Sequence, residues 1–253
     1  MMKHIFLLFF LIANFVALTA QNAPASSPDR GKESYEEIEK LDQGSNLERK
    51  QYKEISEKNR ERIVNGLKLL TIISANFGEE VPESKTAQET LRKDYQIALR
   101  YYYRNAYILS GKSVQKVEKD LTEMLSKFAK VYDAKVQTLL SDCADAITET
   151  EQTQLIGDSQ ESGKPPQGNF VDISEAAHKL KIAYFQLNLA LEMVRDNRPY
   201  EALIHYRISK DYGIKILMDL KGTEADKKAI SDKFAKDLAD NRNLISGQAA
   251  PAK

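Results

Sequence analysis

Tryptophan is absent from the 253 residues, cysteine occurs once, and histidine occurs three times. One cysteine, Cys143, excludes an internal disulfide framework, and no Cys/His set stands at zinc-ligand spacing. The 7 Pro and 11 Gly lie mostly outside the periodic stretches, which argues against a turn-rich β protein. Charge of either sign is not in excess, with 37 Lys and Arg against 37 Asp and Glu. Composition therefore makes no electrostatic case for nucleic acid or an anionic membrane. After the N-terminal run no stretch approaches the roughly 20 apolar residues of a membrane span.

What is present begins with an export signal over residues 1–20. Lys3 and His4 give a basic start, Ile5–Val16 is apolar, and Ala20 follows as a small residue near the cut. Removing Lys3 leaves 36 basic against 37 acidic residues, so the mature chain stays balanced. Residues 21–44 read as a flexible leader, rich in Ala, Ser and Pro at first, with a turn or two of helix over Ser34–Leu41.

The organising stretch is Ser113–Ile156, which holds neither Gly nor Pro. Its apolar residues recur at intervals of three and four through Val114, Val117, Leu121, Leu125, Phe128, Tyr132, Val136, Leu139, Cys143 and Ile147. That periodicity predicts one helix of roughly 60 Å, started by Ser113 after Gly111 stops the helix before it. Phe128, Tyr132 and Val136 step by four twice, a stutter that relaxes a supercoil and favours a nearly straight bundle. Around it the sequence predicts helices over Asn46–Phe77, Lys85–Ser110, Ser174–Asn197 and Tyr200–Leu220. A last helix is capped by Thr223 and runs through about Ile245. Residues 157–172, with Pro165 and Pro166, form the longest break, and residues 246–253 a tail. The expectation is an all-α, elongated bundle of about six long helices, forming a single domain over residues 45–245. Asn197–Lys210 resembles the turn and second helix of a tetratricopeptide repeat, without a second copy at a 34-residue period.

Motifs with chemical meaning are scarce. Ala106–Ser113 fits a loose phosphate-loop pattern, but a helix precedes it where a buried strand is needed. Ser113 and Lys116 share a helical face as in Ser-x-x-Lys acylases, yet the partner elements of that chemistry are missing. His178 and His205 have no ligand partners at metal spacing. Acidic residues such as Glu54 and Asp232 stand at helical intervals from Lys58 and Lys236 and read as solvated faces. No catalytic group, metal site or cofactor site is expected, and no enzyme. Cys143 falls on the apolar face and reads as a small buried hydrophobe, the alternative being an intermolecular disulfide or a reactive thiol. One cluster suits partner contact: Tyr101, Tyr103, Arg104 and Tyr107, of residue types favoured in interface hot spots. The same tyrosines could instead pack under neighbouring helices.

Several segments together resemble the flagellar coiling proteins of spirochaetes. They are the export signal, NLERKQYKEI at Asn46–Ile55 running into RIVNGLKLLTIISANF, DCADAI at Asp142–Ile147, and ALIHYRISKDYGIKILMDLK at Ala202–Lys221. The likeness covers about residues 46–245, and the near-neutral, compact chain fits the B-type branch better. It implies a periplasmic, non-enzymatic component of the flagellar filament sheath. Its partners would be other sheath and filament proteins, with no nucleic acid, no membrane insertion of the mature chain and no small-molecule substrate. It carries over no individual interface residues. Two other classes stand beside it: a periplasmic scaffold that holds a peptide on the repeat-like hairpin, and a secreted adhesin.

Overall fold

The computed structural model describes residues 33–160 and 172–246, and among them there are helices and no strand. The signal, half of the leader, most of the 157–172 break and the tail beyond residue 246 lie outside the described residues. Two units are distinguished, divided after Leu41. The first contributes α1 (Tyr35–Leu41), capped by Ser34, whose Oγ accepts from the Glu37 amide at 3.2 Å while its own amide donates to Glu37 Oε2 at 2.8 Å.

The second unit holds α2 (Asn46–Phe77), α3 (Ser84–Tyr103), α4 (Tyr107–Gln160), α5 (Ile173–Arg195), α6 (Pro199–Asp219), α7 (Glu224–Lys233) and α8 (Ala235–Ser246). Ser45 and Glu48 close a capping box at the start of α2, one residue ahead of the expected Asn46. Glu48 is held below the usual carboxylate range by the Ser45 amide that donates to it. The N-terminal half of α2 is charged and its C-terminal half buries Ile63, Leu70, Ile73 and Phe77, which is why it ends inside the core.

The break between α3 and α4 is not where glycine suggested. α3 stops at Tyr103, and Asn105 adopts a left-handed φ of 60°. Asn tolerates that conformation, so the chain turns there and α4 begins six residues before the expected Ser113. Gly111 lies inside α4 instead of ending α3. A Cβ on it would stand 2.5 Å from Tyr52 Cδ1 and 2.9 Å from the Tyr52 carbonyl oxygen, so glycine serves close packing of α2 on α4. At its other end α4 continues through Gly157 to Gln160, past the expected stop.

With 54 residues, α4 is the spine, about 80 Å long at 1.5 Å per residue. Contacts from Ser56–Ser110 (3.1 Å) through Arg62–Glu118 (2.9 Å) to Phe77–Tyr132 (5.3 Å between ring centroids) show α2 running parallel beside it. α3 runs antiparallel, with Asp94 on Lys116 and Glu83 on Lys127. Each four-residue step through Phe128, Tyr132 and Val136 overshoots a helical turn by about 40°. All three side chains are buried. The drift carries the apolar face from α2 and α3 towards α5 and α6, and a second cluster forms around Leu139, Cys143, Ile147, Ile214 and Leu217.

α5 and α6 pair antiparallel, with Ser209 Oγ donating to the Ala183 carbonyl at 2.8 Å and Lys179 bonded to Asp219 at 2.7 Å. Their turn has Asn197 at a φ of 56° and Pro199 as the first residue of α6. The single last helix expected after Thr223 is two helices broken at Phe234. Ile230, Phe234 and Leu238 are again four apart, and the break re-aims that drifting stripe onto the second cluster.

Candidate functional site

Around the α3–α4 turn, aromatic side chains gather against charged residues of α2. Tyr102 lies edge-on to both Tyr103 (5.7 Å) and Tyr107 (5.6 Å). Tyr102 donates to Glu57 at 2.5 Å, Arg60 donates to the Tyr103 hydroxyl at 3.2 Å, and Lys53 stands 5.4 Å from the Tyr107 ring centre. The Tyr107 hydroxyl donates to Asn105 at 2.7 Å, so the turn residue also orders the cluster. The carboxylate of Glu57 pushes the Tyr102 phenol up to about 12, and the Tyr103 hydroxyl raises Arg60. Tyr103 is 65% exposed.

Of the four residues singled out in the sequence, Tyr103 is on the surface and Tyr107 and Arg104 are half-buried. Tyr101 is not a surface residue. It is 6% exposed, and its ring belongs to the core. Tyr102 takes its place in the cluster.

A second constellation went unread in the sequence. Asp240 of α8 is buried and receives Arg207 through both Nε (2.8 Å) and Nη2 (2.7 Å), the Tyr132 hydroxyl (2.5 Å) and Asn76 Nδ2 (3.2 Å). Lys210, 1% exposed, bonds Asp237 at 2.6 Å and stands 3.7 Å from Asp240. Its ammonium lies between two rings, 4.6 Å from the centre of Phe77 and 4.3 Å from that of Tyr132. Burial pulls the Lys210 ammonium below its ordinary value, against the pull of Asp237 and Asp240. Burial likewise raises the Tyr132 phenol well above its own. The available signal was placement: Arg207 and Lys210 fall among Leu203, Tyr206, Ile214 and Leu217, at intervals where a core-facing helix carries apolar residues.

Cys143 is buried as expected, its thiol donating to the Gly213 carbonyl at 3.2 Å, and burial pushes it up to about 12. His205 bonds Gln186 at 2.8 Å across the α5–α6 pair. Ser113 and Lys116 lie within the second and third turns of α4, and Lys116 bonds Asp94 on α3. Among the described residues, no group of His, Cys, Asp and Glu could hold a metal ion, and no helix is long and apolar enough to cross a membrane. Comparisons with protein-family models, curated proteins and solved structures return no match to this chain.

Proposed function

We propose that the protein is a structural subunit of the periplasmic flagellar filament sheath, exported and non-enzymatic. It assembles laterally with other sheath and filament proteins to coil the filament for motility. The observation that carries the reading is the ordered aromatic face at the α3–α4 turn. Tyr102, Tyr103 and Tyr107 are held in place by Glu57, Arg60 and Asn105 before any partner arrives. Pre-ordered tyrosines lose little freedom on binding, which suits repeated contacts in a lattice. The likeness of four segments to flagellar coiling proteins adds the location, and the all-α frame agrees with that family.

Isolated flagellar filaments test it. The protein should co-purify with them and leave with the other sheath components when the sheath is stripped. Filaments that lack it in a cell that makes it would refute the assignment.

A second reading draws on another surface. Tyr184, Phe185 and Ile208 on the α5–α6 pair are large and exposed, which favours a scaffold that holds a partner peptide. Capture of one soluble partner by the purified protein, with none of the protein in filaments, would favour that reading instead.

A further inference from the structure

Four arginines, Arg49, Arg62, Arg198 and Arg207, each meet a carboxylate, on Asp42, Glu118, Glu201 and Asp240. Arg60 and Arg92 rest on neutral groups instead. Arg60 donates to the Tyr103 hydroxyl at 3.2 Å, and Arg92 donates to Thr71 Oγ1 at 2.9 Å. Both are exposed, and each keeps its charge and spare N–H donors. They stand on one seam. Arg60, Val64 and Thr71 recur along one face of α2, and Arg92, Leu99 and Tyr103 along the side of α3 that meets it.

The sequence leaves this seam poor in acids. Between Glu61 and Glu79 there is no Asp or Glu. On α3, Asp94 is committed to Lys116 of α4 at 2.9 Å. Glu57, one turn before Arg60, accepts from the Tyr102 hydroxyl and stands 4.0 Å from Lys53. The Tyr95 hydroxyl is buried near Arg60, whose charge holds down a phenol that burial raises, and its O–H finds no acceptor within the chain. A carboxylate oxygen entering beside Arg60 would relieve that cost. Thr71 follows Arg60 by eleven residues and Arg92 precedes Tyr103 by eleven, so the two cations lie about 16 Å apart along the seam. Val64 and Leu99, both half-buried, form an apolar floor between them.

We infer that an acidic helix of another sheath or filament protein lies along the α2–α3 seam, its carboxylates engaging Arg60 and Arg92. Two acids about three helical turns apart on the partner match the separation of the cations. The planar fork of each arginine takes a carboxylate through two parallel bonds, which fixes the partner's register as well as its position. Tyr103 carries the contact from the seam onto the tyrosine face at the α3–α4 turn. The inference rests on the filament reading and adds the chemistry of the partner to it.

Arg60→Lys combined with Arg92→Lys keeps both charges and provides primary amines, which carbodiimide joins only to carboxylates in contact. Filaments isolated from cells that make this variant are treated with carbodiimide, digested and analysed by mass spectrometry. Amides should link positions 60 and 92 to two Asp or Glu residues of one other sheath or filament protein. Filaments that hold the variant but yield no such amides, or only amides to acids of this chain, overturn the inference and leave the filament reading intact. Filaments that lack even the native protein overturn both. Arg60→Gln combined with Arg92→Gln gives a second measure. Tyr103 and Thr71 are neutral, so helicity and melting temperature should stay native. Binding to sheath-stripped filaments at low salt should weaken at least about tenfold and lose much of its dependence on salt. Binding equal to that of the native protein would overturn the inference.

Discussion

Asp240 shows how much one side chain can be asked to hold. It neutralises Arg207, takes the Tyr132 hydroxyl and the Asn76 amide, and lies 3.7 Å from the Lys210 ammonium. Removing one partner of a buried ion pair leaves the other charge uncompensated, a loss of about 3–5 kcal/mol. Asp240→Ala should therefore lower stability by that amount in urea unfolding, and Asp240→Ala combined with Arg207→Met should recover part of it. An additive double variant would mean that the pair does not interact. Cys143 supports a second expectation. Its thiol is pushed up to about 12, well above an unfolded cysteine, so the folded state keeps a proton that the unfolded state releases. The stabilisation is complete below the unfolded value of about 8.5 and is lost as pH climbs towards the folded one, at up to about 1.4 kcal/mol per pH unit. Tyr132 and Tyr206, both raised by burial, add losses of the same sign above about pH 10. Lys210, pulled down by burial, acts in the opposite direction. Stability measured from pH 8 to 11 should fall for the native chain and fall less steeply for Cys143→Ala. Equal slopes would contradict this account.

Among the elements, the α3–α4 junction is the most informative. Gly111→Ala brings a methyl group against the Tyr52 carbonyl oxygen as well as its ring, and backbone cannot step aside as a side-chain tip can. Overpacking of this kind costs about 1–3 kcal/mol, more than the roughly 1 kcal/mol gained in helix propensity, so a lower melting temperature is expected. Asn105→Val should be destabilised by at least about 1 kcal/mol because a branched residue resists the left-handed turn, whereas Asn105→Gly should keep the fold and lose the bond to Tyr107. Thermal melts of the three variants decide. This junction also marks where reading the sequence failed. Helix ends set by local chemistry were legible: Phe77 before Gly78 and Pro82, and the Asn197–Pro199 turn of the α5–α6 pair. Gly111 misled because glycine serves two purposes, stopping helices and admitting close neighbours, and only the neighbour tells them apart. The Asp240 cluster was out of reach for another reason. Its partners lie 33, 108 and 164 residues away in the chain, far beyond any helical interval.

At the scale of the whole molecule, the filament reading makes Tyr103 and Tyr107 the side chains to change. Replacing both with Ala should leave helicity intact and weaken incorporation into filaments, since truncating a hot-spot aromatic costs about 2 kcal/mol or more. Circular dichroism and co-sedimentation with filaments measure the two effects separately. Unaltered sedimentation would move the contact to another face. The clasp at Asp240 has one more consequence, which concerns the order in which a cell completes the chain. Synthesis delivers Arg207 and Lys210 well before the residue that neutralises them. Until the last helix emerges, two cations and a phenol await a carboxylate that has not been made. A product cut short between Asp219 and Asp237 keeps the α5–α6 pair and still leaves Arg207 and Lys210 without their carboxylates, and so exposes itself to proteolysis. The core at Arg207 and Lys210 is thus closed by acids made some 30 residues later, and products that stop before them carry it open.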